Sequence, residues 1–435
     1  MKILKVGLLG FGQIGSALYT MLQSKNSYFK NELGVRFEIT RIAVLNPKKK
    51  RTVKIPKHLL AKNAVEIIDD PAIDVIVELV GGTRDARSFV LKALRSGKHV
   101  VTANKALLAE HGDEIFHAAQ RLNRWICFES SVGGGIPVMK SLREGLVANR
   151  IDSIYAIING TSNYILSEMT EKGTDFREAL AEAQKEGYAE ADPTLDIEGV
   201  DAAHKLAILV RFAFGGKVKF KDIYCEGISR IRKEDIDFAE EFGYRVKLLA
   251  IAKASQDGIE ARVQPTLLPE AHILANVTGA YNAVFLRGDE VGNVLLYGRG
   301  AGPKPTASAV LADLMDIAQR ESVRSENSGM LMRGIRKSLR IKSISSILSR
   351  YYLRFHVVDK PGVLAHISRV LGKHRISISD VIQRERNLRS VVPLILLTHD
   401  AHEKDVRNAI REIDRQAIVR GKSQVIRIEE GAKTS

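Results

Sequence analysis

Acidic side chains are concentrated between Gly187 and Lys205, just before an apolar run that predicts a buried helix. Asp201 and Lys205 are four residues apart, so they share one face of that helix. Burial can lower the pKa of a lysine toward neutrality, which makes Lys205 a candidate proton-transfer group. The same spacing also fits a solvated ion pair.

A glycine-rich sequence near the N-terminus has the pattern G-x-G-x-x-G between a predicted strand and a predicted helix. The glycines permit a tight turn and a close backbone approach, and the helix N-terminus attracts a pyrophosphate. The predicted cofactor contacts are therefore Gly10, Phe11, Gly12, Gln13, Ile14 and Gly15. A plain strand–helix turn is the alternative.

The end of the second predicted strand bears on the type of nicotinamide cofactor. An NAD site usually has an acid there, but the chain continues from Leu45 into a basic segment, Lys48 to Arg51. Positively charged residues at this point can bind a 2′-phosphate, so they favour NADP(H) as the cofactor and leave NAD(H) as the alternative. A solvated basic loop explains the segment as well.

Two further loops follow predicted strands. Thr102 and Lys105 lie after the fourth strand, where ligands bind in a doubly wound fold, although Lys105 also fits a surface position. The loop from Glu129 to Pro137 combines a carboxylate with backbone carbonyls, which suits either a hard cation or a hinge.

A polar loop, Asn159 to Asn163, precedes another predicted helix. Its amides and hydroxyls can receive a substrate carboxylate at the helix start. A simple helix cap is the alternative.

The predicted elements give an α/β protein of three parts. Apolar strands alternate with helices in the N-terminal part, which predicts a Rossmann-type, doubly wound parallel sheet. The middle part has the pattern of an α+β domain with a mixed sheet. The last part has the order βαββαβ, which predicts a ferredoxin-like unit.

The predicted domain boundaries follow these changes in pattern. Residues 1–135 form the dinucleotide-binding domain, to which the helix at 303–321 returns. Residues 136–302 form the α+β domain. Residues 322–349 form a basic linker, and residues 350–430 form the ferredoxin-like domain.

Composition narrows the classes of protein. The 435 residues carry a formal net charge of +15, but no nucleic-acid-binding signature accompanies it, so we expect no nucleic acid partner. No apolar run is long enough for a membrane span, and no signal peptide is visible. Two distant cysteines fit a reducing, cytoplasmic setting.

The sequence resembles homoserine dehydrogenases over essentially its whole length. The resemblance rests on GFGQIG, VVTANKALLAEHG, ESSVGGGIPV, NGTSNYIL, GYAEADPTLDIEGVDAAHKLAIL, GYRVKLLAIAK and GRGAGPKPTASAVLAD. The segment from Asp359 to Ala365 resembles the ACT domain, a regulatory module that binds amino acids. Because no aspartokinase region precedes position 1, we expect the monofunctional form.

The resemblance implies reversible reduction of L-aspartate 4-semialdehyde to L-homoserine with NAD(P)H, on the route to threonine, methionine and isoleucine. It implies that residues 136–302 are the catalytic and dimerisation domain, that residues 350–430 are the regulatory domain, and that Lys205 and Lys105 are the catalytic lysines. From the chemistry we favour Lys205 as the acid/base and Lys105 as its partner. The implied substrate contacts are Glu190, Asp196, Asp201, Tyr188 and Thr161.

The resemblance also implies a structural Na⁺ site. The carboxylate of Glu129 and the carbonyls of Val132, Gly134 and Ile136 would form it. Gly302, in a second glycine-rich loop, would approach the cofactor.

The ACT-like segment implies regulation and assembly. L-Threonine is the expected effector, with contacts in the loop from Asp359 to Gly362, and such modules commonly pair across subunits. We therefore expect a homo-oligomer, either a dimer or a tetramer.

Two departures from the family pattern affect the cofactor site. Leu45 stands where the family often has an arginine, which leaves the cofactor preference open. Thr83-Arg84-Asp85 replaces a common Glu-Pro after the glycines of the third strand's loop, and Arg84 is a candidate coenzyme contact.

Two other functions stay open at this point. The chain can be a dehydrogenase of another small amino-acid semialdehyde, which a substrate panel would separate. It can also be a catalytically silent amino-acid sensor, although the complete set of Lys105, Glu190, Asp201 and Lys205 argues against that reading.

Overall fold

The computed structural model describes residues 2–322, 338–383 and 391–430, so most of the predicted basic linker lies outside the described residues. The strands are β1 (Lys2–Leu9), β2 (Val35–Ala43), β3 (Val75–Glu78), β4 (His99–Thr102), β5 (Ile126–Cys127), β6 (Ile151–Ile157), β7 (Tyr224–Cys225), β8 (Tyr244–Ser255), β9 (Gly258–Pro269), β10 (Tyr281–Gly288), β11 (Gly292–Arg299), β12 (Leu348–Val358), β13 (Ile378–Gln383), β14 (Val391–Thr398), β15 (Ala401–His402) and β16 (Gln424–Ile428).

The helices connect these strands in the alternation that the sequence predicts. They are α1 (Gln13–Leu33), α2 (Ala64–Asp69), α3 (Arg84–Arg95), α4 (Lys105–Arg121), α5 (Val138–Lys140), α6 (Gly160–Lys172), α7 (Phe176–Lys185), α8 (Thr194–Ile197), α9 (Val200–Phe214), α10 (Lys233–Glu241), α11 (Pro303–Ser322), α12 (Val363–Lys373) and α13 (Glu403–Ile413).

The chain divides into two compact units, each made of three segments. The first unit contains Met1–Asp152, His204–Phe220 and Asn282–Leu339. The second unit contains Ser153–Ala203, Lys221–Tyr281 and Arg340–Ser435. The domain boundaries that we derived from the sequence stay predictions.

A five-stranded parallel sheet forms the centre of the first unit, in the order β2-β1-β3-β4-β5. In its register, Val6 pairs with Val75, and Val75 in turn pairs with His99. Strands β3 and β4 are buried along their whole length, as expected for strands covered on both faces. The predicted parallel sheet of Rossmann type is confirmed.

Helix α11 packs into the core of this sheet although it lies far along the chain. Its apolar residues Val310, Leu314 and Ile317 belong to the same buried cluster as Val6 and Leu18. The helix begins at Pro303, the first residue of the predicted segment 303–321. Proline is favoured in the first helical position, because its missing N–H has no partner to lose there.

The sequence WICFESSV, from Trp125 to Val132, predicts one more strand, but the last strand of this sheet is shorter. Only Ile126 and Cys127 pair in β5, and the chain then forms a 3-10 helix, Glu129–Ser131. The backbone N–H of Glu129 donates to the Asp313 carboxylate at 2.9 Å. The amide is therefore used by a side chain of α11 and is not available to a neighbouring strand.

The second unit contains a sheet with the strand order β6-β8-β9-β16-β12-β14-β13. Strands β8 and β9 form an antiparallel hairpin that closes between Ser255 and Gly258. Strand β16 then pairs in parallel with β9, with Arg427 opposite Thr266. One sheet thus runs from the middle of the chain into its C-terminal part.

The C-terminal part follows the predicted βαββαβ order, from β12 through α12, β13, β14 and α13 to β16. Its two helices cover one apolar core with residues such as Leu353, Phe355, Ile367 and Val406. The predicted mixed sheet and ferredoxin-like unit are both confirmed.

Within the described ranges, no helix is long and apolar enough to cross a bilayer. The cytoplasmic location stays a prediction.

A buried lysine in β8 leads to a pH prediction. Lys247 is 4% exposed and its Nζ donates to the Val277 carbonyl at 2.7 Å. Burial lowers the pKa of this lysine from 10.5 to about 8. From pH 8 to 10.5 the unfolded chain therefore holds more protons here than the folded chain, so the free energy of unfolding should rise with pH.

We expect Lys247→Met to remove this rise, which amounts to about 3 kcal/mol, because methionine fills similar space without a charge. Urea unfolding of wild type and variant across this pH range measures it. The control is Lys221→Met, at an exposed lysine of the same unit, which should leave the pH dependence unchanged. Parallel curves for wild type and Lys247→Met would contradict the prediction.

Candidate active site

The glycine-rich turn between β1 and α1 depends on close backbone contacts. Gly10 has φ of 97°, and a Cβ at this position would lie 2.4 Å from the Leu79 carbonyl oxygen. A Cβ on Gly15 would lie 2.6 Å from the carbonyl oxygen of Gly10. Gly12 faces open space and precedes α1 without a side-chain cap. The start of α1 therefore suits a pyrophosphate.

The basic segment after β2 is tied to this turn through one arginine. The Nε of Arg51 donates to the Phe11 carbonyl at 3.1 Å, and its Nη2 donates to the Asn46 carbonyl at 2.7 Å. Leu45 is fully exposed and contributes no charge. Arg51 is thus the cation of this segment that the fold places against the turn.

A buried acid that the sequence prediction missed orders the loop with Thr102. Glu78 is fully buried at the end of β3, and its carboxylate accepts from the Thr102 hydroxyl at 2.6 Å. The backbone N–H of Asn104 donates to the same hydroxyl at 3.0 Å, and the Asn104 amide donates to the Gly82 carbonyl at 2.7 Å. In the sequence, an acidic residue at the end of a predicted buried strand is the signal that could have identified Glu78.

This loop leads directly into α4, which begins at Lys105. Helix α4 packs against α9 through an ion pair between Asp113 and the buried Arg211 and through the edge-on rings of Phe116 and Phe212. The packing fixes α9 where it carries Lys205, whose side chain is buried. Lys105 and Lys205 therefore lie on neighbouring helices of the first unit.

The loop after β5 encloses a buried carboxylate. The two oxygens of Glu129 accept from the backbone N–H groups of Met139 and Lys140, each at 2.8 Å. Burial raises the pKa of Glu129 to about 7, although these hydrogen bonds and the Lys140 charge act in the opposite direction. A cation beside this carboxylate would relieve the cost of its burial.

The backbone around Glu129 is held by a second glycine-rich loop. A Cβ on Gly134 would lie 2.3 Å from the Gly300 carbonyl oxygen, and the Gly135 N–H donates to the Arg299 carbonyl at 3.2 Å. Gly302 follows with φ of 114°. One carboxylate among turned backbone carbonyls is a donor set that fits a hard cation.

The second unit contains a pair of acids joined by one amide. The Nδ2 of Asn159 donates to the Asp196 carboxylate at 2.7 Å and to the Asp201 carboxylate at 2.9 Å. The Oδ1 of Asn159 accepts from the Ser162 N–H and so caps α6. The helix cap that we gave as the alternative for this loop is therefore present. The Asn159 side chain that forms it also donates to both acids.

Other predicted substrate residues approach this pair to different degrees. The Thr161 hydroxyl lies 3.2 Å from the Asp196 carboxylate and donates to the Tyr188 carbonyl at 2.6 Å. The ring of Tyr188 stacks on Tyr164 at 4.6 Å between centroids. Glu190 is exposed, and its backbone carbonyl accepts from Gln184 at 3.1 Å. Thr161, Asp196 and Asp201 thus form one cluster, with Glu190 outside it.

Family models match three successive parts of the chain. Residues 10–129 match the NAD binding domain of homoserine dehydrogenase, residues 137–315 match homoserine dehydrogenase, and residues 351–417 match the ACT domain. A homoserine dehydrogenase of Neisseria gonorrhoeae is 44% identical over 432 residues, 99% of each chain. The chain belongs to the homoserine dehydrogenase family. The prediction from sequence is confirmed at this level.

Solved structures agree with this assignment. The crystal structure of a homoserine dehydrogenase from Thiobacillus denitrificans is 47% identical, covers 99% of both chains and has a TM-score of 0.93. A hyperthermophilic archaeal homoserine dehydrogenase in complex with NADPH is 28% identical, with a TM-score of 0.63 over 74% of this chain and 98% of its own. The chain thus has the NAD-binding domain and the ACT domain of this enzyme family.

The double role of Asn159 gives a prediction for Asn159→Asp. Aspartate caps a helix as well as asparagine does, so the cap survives, but a third carboxylate replaces the donor to Asp196 and Asp201. We expect a loss of about 2–4 kcal/mol in the free energy of unfolding at neutral pH, measured by urea denaturation.

The matched control is Asn63→Asp. Asn63 is an exposed N-cap whose side chain accepts from the Glu66 N–H, with no role as a donor between acids. This exchange should be near neutral. Equal effects of the two exchanges would show that the amide of Asn159 does not hold the acids.

Proposed function

We propose that this protein catalyses the reversible NAD(P)H-dependent reduction of L-aspartate 4-semialdehyde to L-homoserine. The observation that carries this proposal is the Asn159-linked pair of acids, Asp196 and Asp201, together with Lys205 on α9. Asp201 and Lys205 are one helical turn apart, so an anionic subsite and an amine are presented by the same helix.

The acids account for recognition of the amino acid. Asp196 and Asp201 attract the ammonium group of the substrate, and the Thr161 hydroxyl adds a polar contact beside Asp196. Since the acids share one amide, their positions are set before the substrate binds, which lowers the ordering cost of binding.

Lys205 acts on the oxygen of the substrate. Its ammonium donates a proton to the developing alkoxide during reduction, and its neutral amine accepts the hydroxyl proton during oxidation. The nicotinamide supplies the hydride when bound. Lys105, at the start of the neighbouring helix α4, is the proposed second catalytic lysine.

NADP(H) is the cofactor that we propose as preferred. Arg51 lies against the Phe11 carbonyl of the glycine-rich turn, where a guanidinium can pair with a 2′-phosphate. The basic residues at 48–50 add to the positive potential of the same loop. Thr102 and Gly302 are proposed as further cofactor contacts.

We propose Na⁺ as a structural ion of the loop after β5. Glu129 would supply one carboxylate oxygen, and Val132, Gly134 and Ile136 would supply carbonyls. The raised pKa of the buried Glu129 supports a cation here, because a positive charge would stabilise its ionised form.

The C-terminal loop is the proposed effector site. Gly362 has φ of 89° and begins α12 without a side-chain cap. The buried His366 Nε2 and Ser379 Oγ have no hydrogen-bond partner in the described part of the chain, so they are available to a polar ligand. L-Threonine supplies an ammonium, a carboxylate and a hydroxyl for such groups.

We also propose a homo-oligomer, a dimer or a tetramer, in which the C-terminal units pair. Strand β13 ends the strand order of the second unit's sheet. A sheet end of this kind can extend across a subunit boundary.

The first test is Lys205→Ala. Loss of a general acid/base should lower kcat by about 10²–10⁴-fold, while NADPH binding, followed by its fluorescence, stays unchanged. Lys219→Ala, at an exposed lysine near the end of α9, is the control and should retain turnover. Retained activity in Lys205→Ala would refute the proposed acid/base.

The second test is inhibition by L-threonine in wild type and Asp359→Asn. Loss of the charge should weaken inhibition about tenfold or more, because charge-assisted hydrogen bonds to the effector's ammonium are lost. The control is Asp400→Asn, at an exposed aspartate of the same domain. Absence of inhibition in wild type, or equal inhibition in both variants, would end the effector proposal.

A further inference from the structure

A cavity of about 770 Å³ lies within the second unit, away from the proposed effector loop. Its lining combines Glu198 and Val200, which lead into α9, with the segment from Tyr224 to Arg230. Helix α13 and the chain that enters β16 supply the other side. The volume falls within the range of small-molecule sites.

The inner wall is a preformed network of opposite charges. Arg427 is buried and donates to Glu403 from Nε at 2.8 Å and to Glu226 from Nη1 at 2.8 Å. Arg407 donates to Glu403 at 2.7 Å, and the Tyr224 hydroxyl donates to Glu226 at 2.7 Å. These wall charges neutralise one another, so they shape the cavity without giving it a net charge.

The rest of the lining carries additional cations. Arg230, Arg411 and Lys422 are exposed and form no salt bridge with a carboxylate in the described ranges. Arg411 donates only to neutral acceptors, the Arg407 carbonyl at 3.2 Å and the Asn408 amide oxygen at 2.8 Å. The whole lining holds five cations and four carboxylates, a net charge of +1, and the three exposed cations supply charged donors for the anionic groups of a ligand.

Two carboxylates of the lining limit the ligand further. Asp414 accepts from the Ser423 N–H at 3.2 Å and from its hydroxyl at 2.5 Å, so its hydrogen bonds are directed within the protein. Glu198 is exposed at the cavity. A hydroxyl or ammonium group of a ligand can donate to it.

We propose that this cavity binds a small polyanion, with at least two phosphate or carboxylate groups and a hydroxyl or ammonium donor for Glu198. Arg230, Arg411 and Lys422 bind the anionic groups. The site shares no residue with the proposed catalytic cluster or with the loop from Asp359 to Gly362, so it stands independently of the proposed reaction.

Isothermal titration of the full-length protein tests this site with inorganic pyrophosphate and, in a second arm, with citrate. Both titrations contain NADPH in excess, because the glycine-rich turn also attracts phosphates, and salt at physiological strength, because diffuse charge attraction is screened there. We expect saturable binding in at least one arm, and the arm that binds separates a phosphate ligand from a carboxylate ligand.

Arg411→Ala and Lys422→Ala should each weaken this binding about tenfold or more, because each removes a charged donor from an exposed position. Lys404→Ala, an exposed lysine on α13 that does not line the cavity, is the matched control and should leave binding unchanged. Absence of saturable binding in both arms, or equal weakening by Lys404→Ala, would overturn the proposal.

Discussion

The candidate substrate site depends on how one asparagine side chain distributes its hydrogen bonds. An amide has two N–H donors and one oxygen, and Asn159 directs the donors to Asp196 and Asp201 and the oxygen to the start of α6. Two neighbouring carboxylates repel each other when both are ionised, and a shared donor offsets part of that repulsion. In the proposed function, the ammonium group of the amino-acid substrate is the cation that these two carboxylates bind.

Backbone contacts that exclude side chains shape the glycine-rich loops of the first unit. Gly10 lies against the Leu79 carbonyl and Gly134 against the Gly300 carbonyl, at distances that no Cβ can occupy. The loop with Thr102 is then fixed by the buried Glu78, which links the ends of β3 and β4. The Gly10 contact and the Glu78 hydrogen bond both lie at the carboxyl ends of parallel strands, where doubly wound sheets bind their ligands. The loop at Gly10 and the loop with Thr102, which we propose as cofactor contacts, are therefore both held by contacts within the fold.

Local patterns in the sequence predict the sheet of the first unit and the βαββαβ order because apolar strands and amphipathic helices have distinct periods. Local patterns predict the ends and the pairing of strands less well where residues far along the chain determine them. The strand at Ile126 ends early because Asp313, far along the chain, takes the Glu129 amide. The pairing of β16 with β9 has no local signal at all. In the candidate site, Lys205 and Asp201 are visible from their spacing, whereas the roles of Glu78 and Asn159 depend on contacts that only the fold creates. The sequence shows a glycine at position 134, but it does not show that this residue lies against the Gly300 carbonyl.

The C-terminal domain shares both a sheet and buried charges with the middle of the chain. Arg262, which is almost fully buried, pairs with Glu429, and Lys253 donates to the same carboxylate at 2.7 Å. Deletion of the C-terminal domain would leave Arg262 with Glu260 alone and would take Glu429 away from Lys253, and the loss of one partner from a buried ion-pair network is destabilising. A truncated enzyme would therefore lose stability for reasons unrelated to effector binding, so point substitutions are the sharper probe of regulation. The cavity is also connected to the proposed substrate site through the chain. Glu198 and Val200 line the cavity, and the next residue is Asp201, one of the proposed substrate contacts.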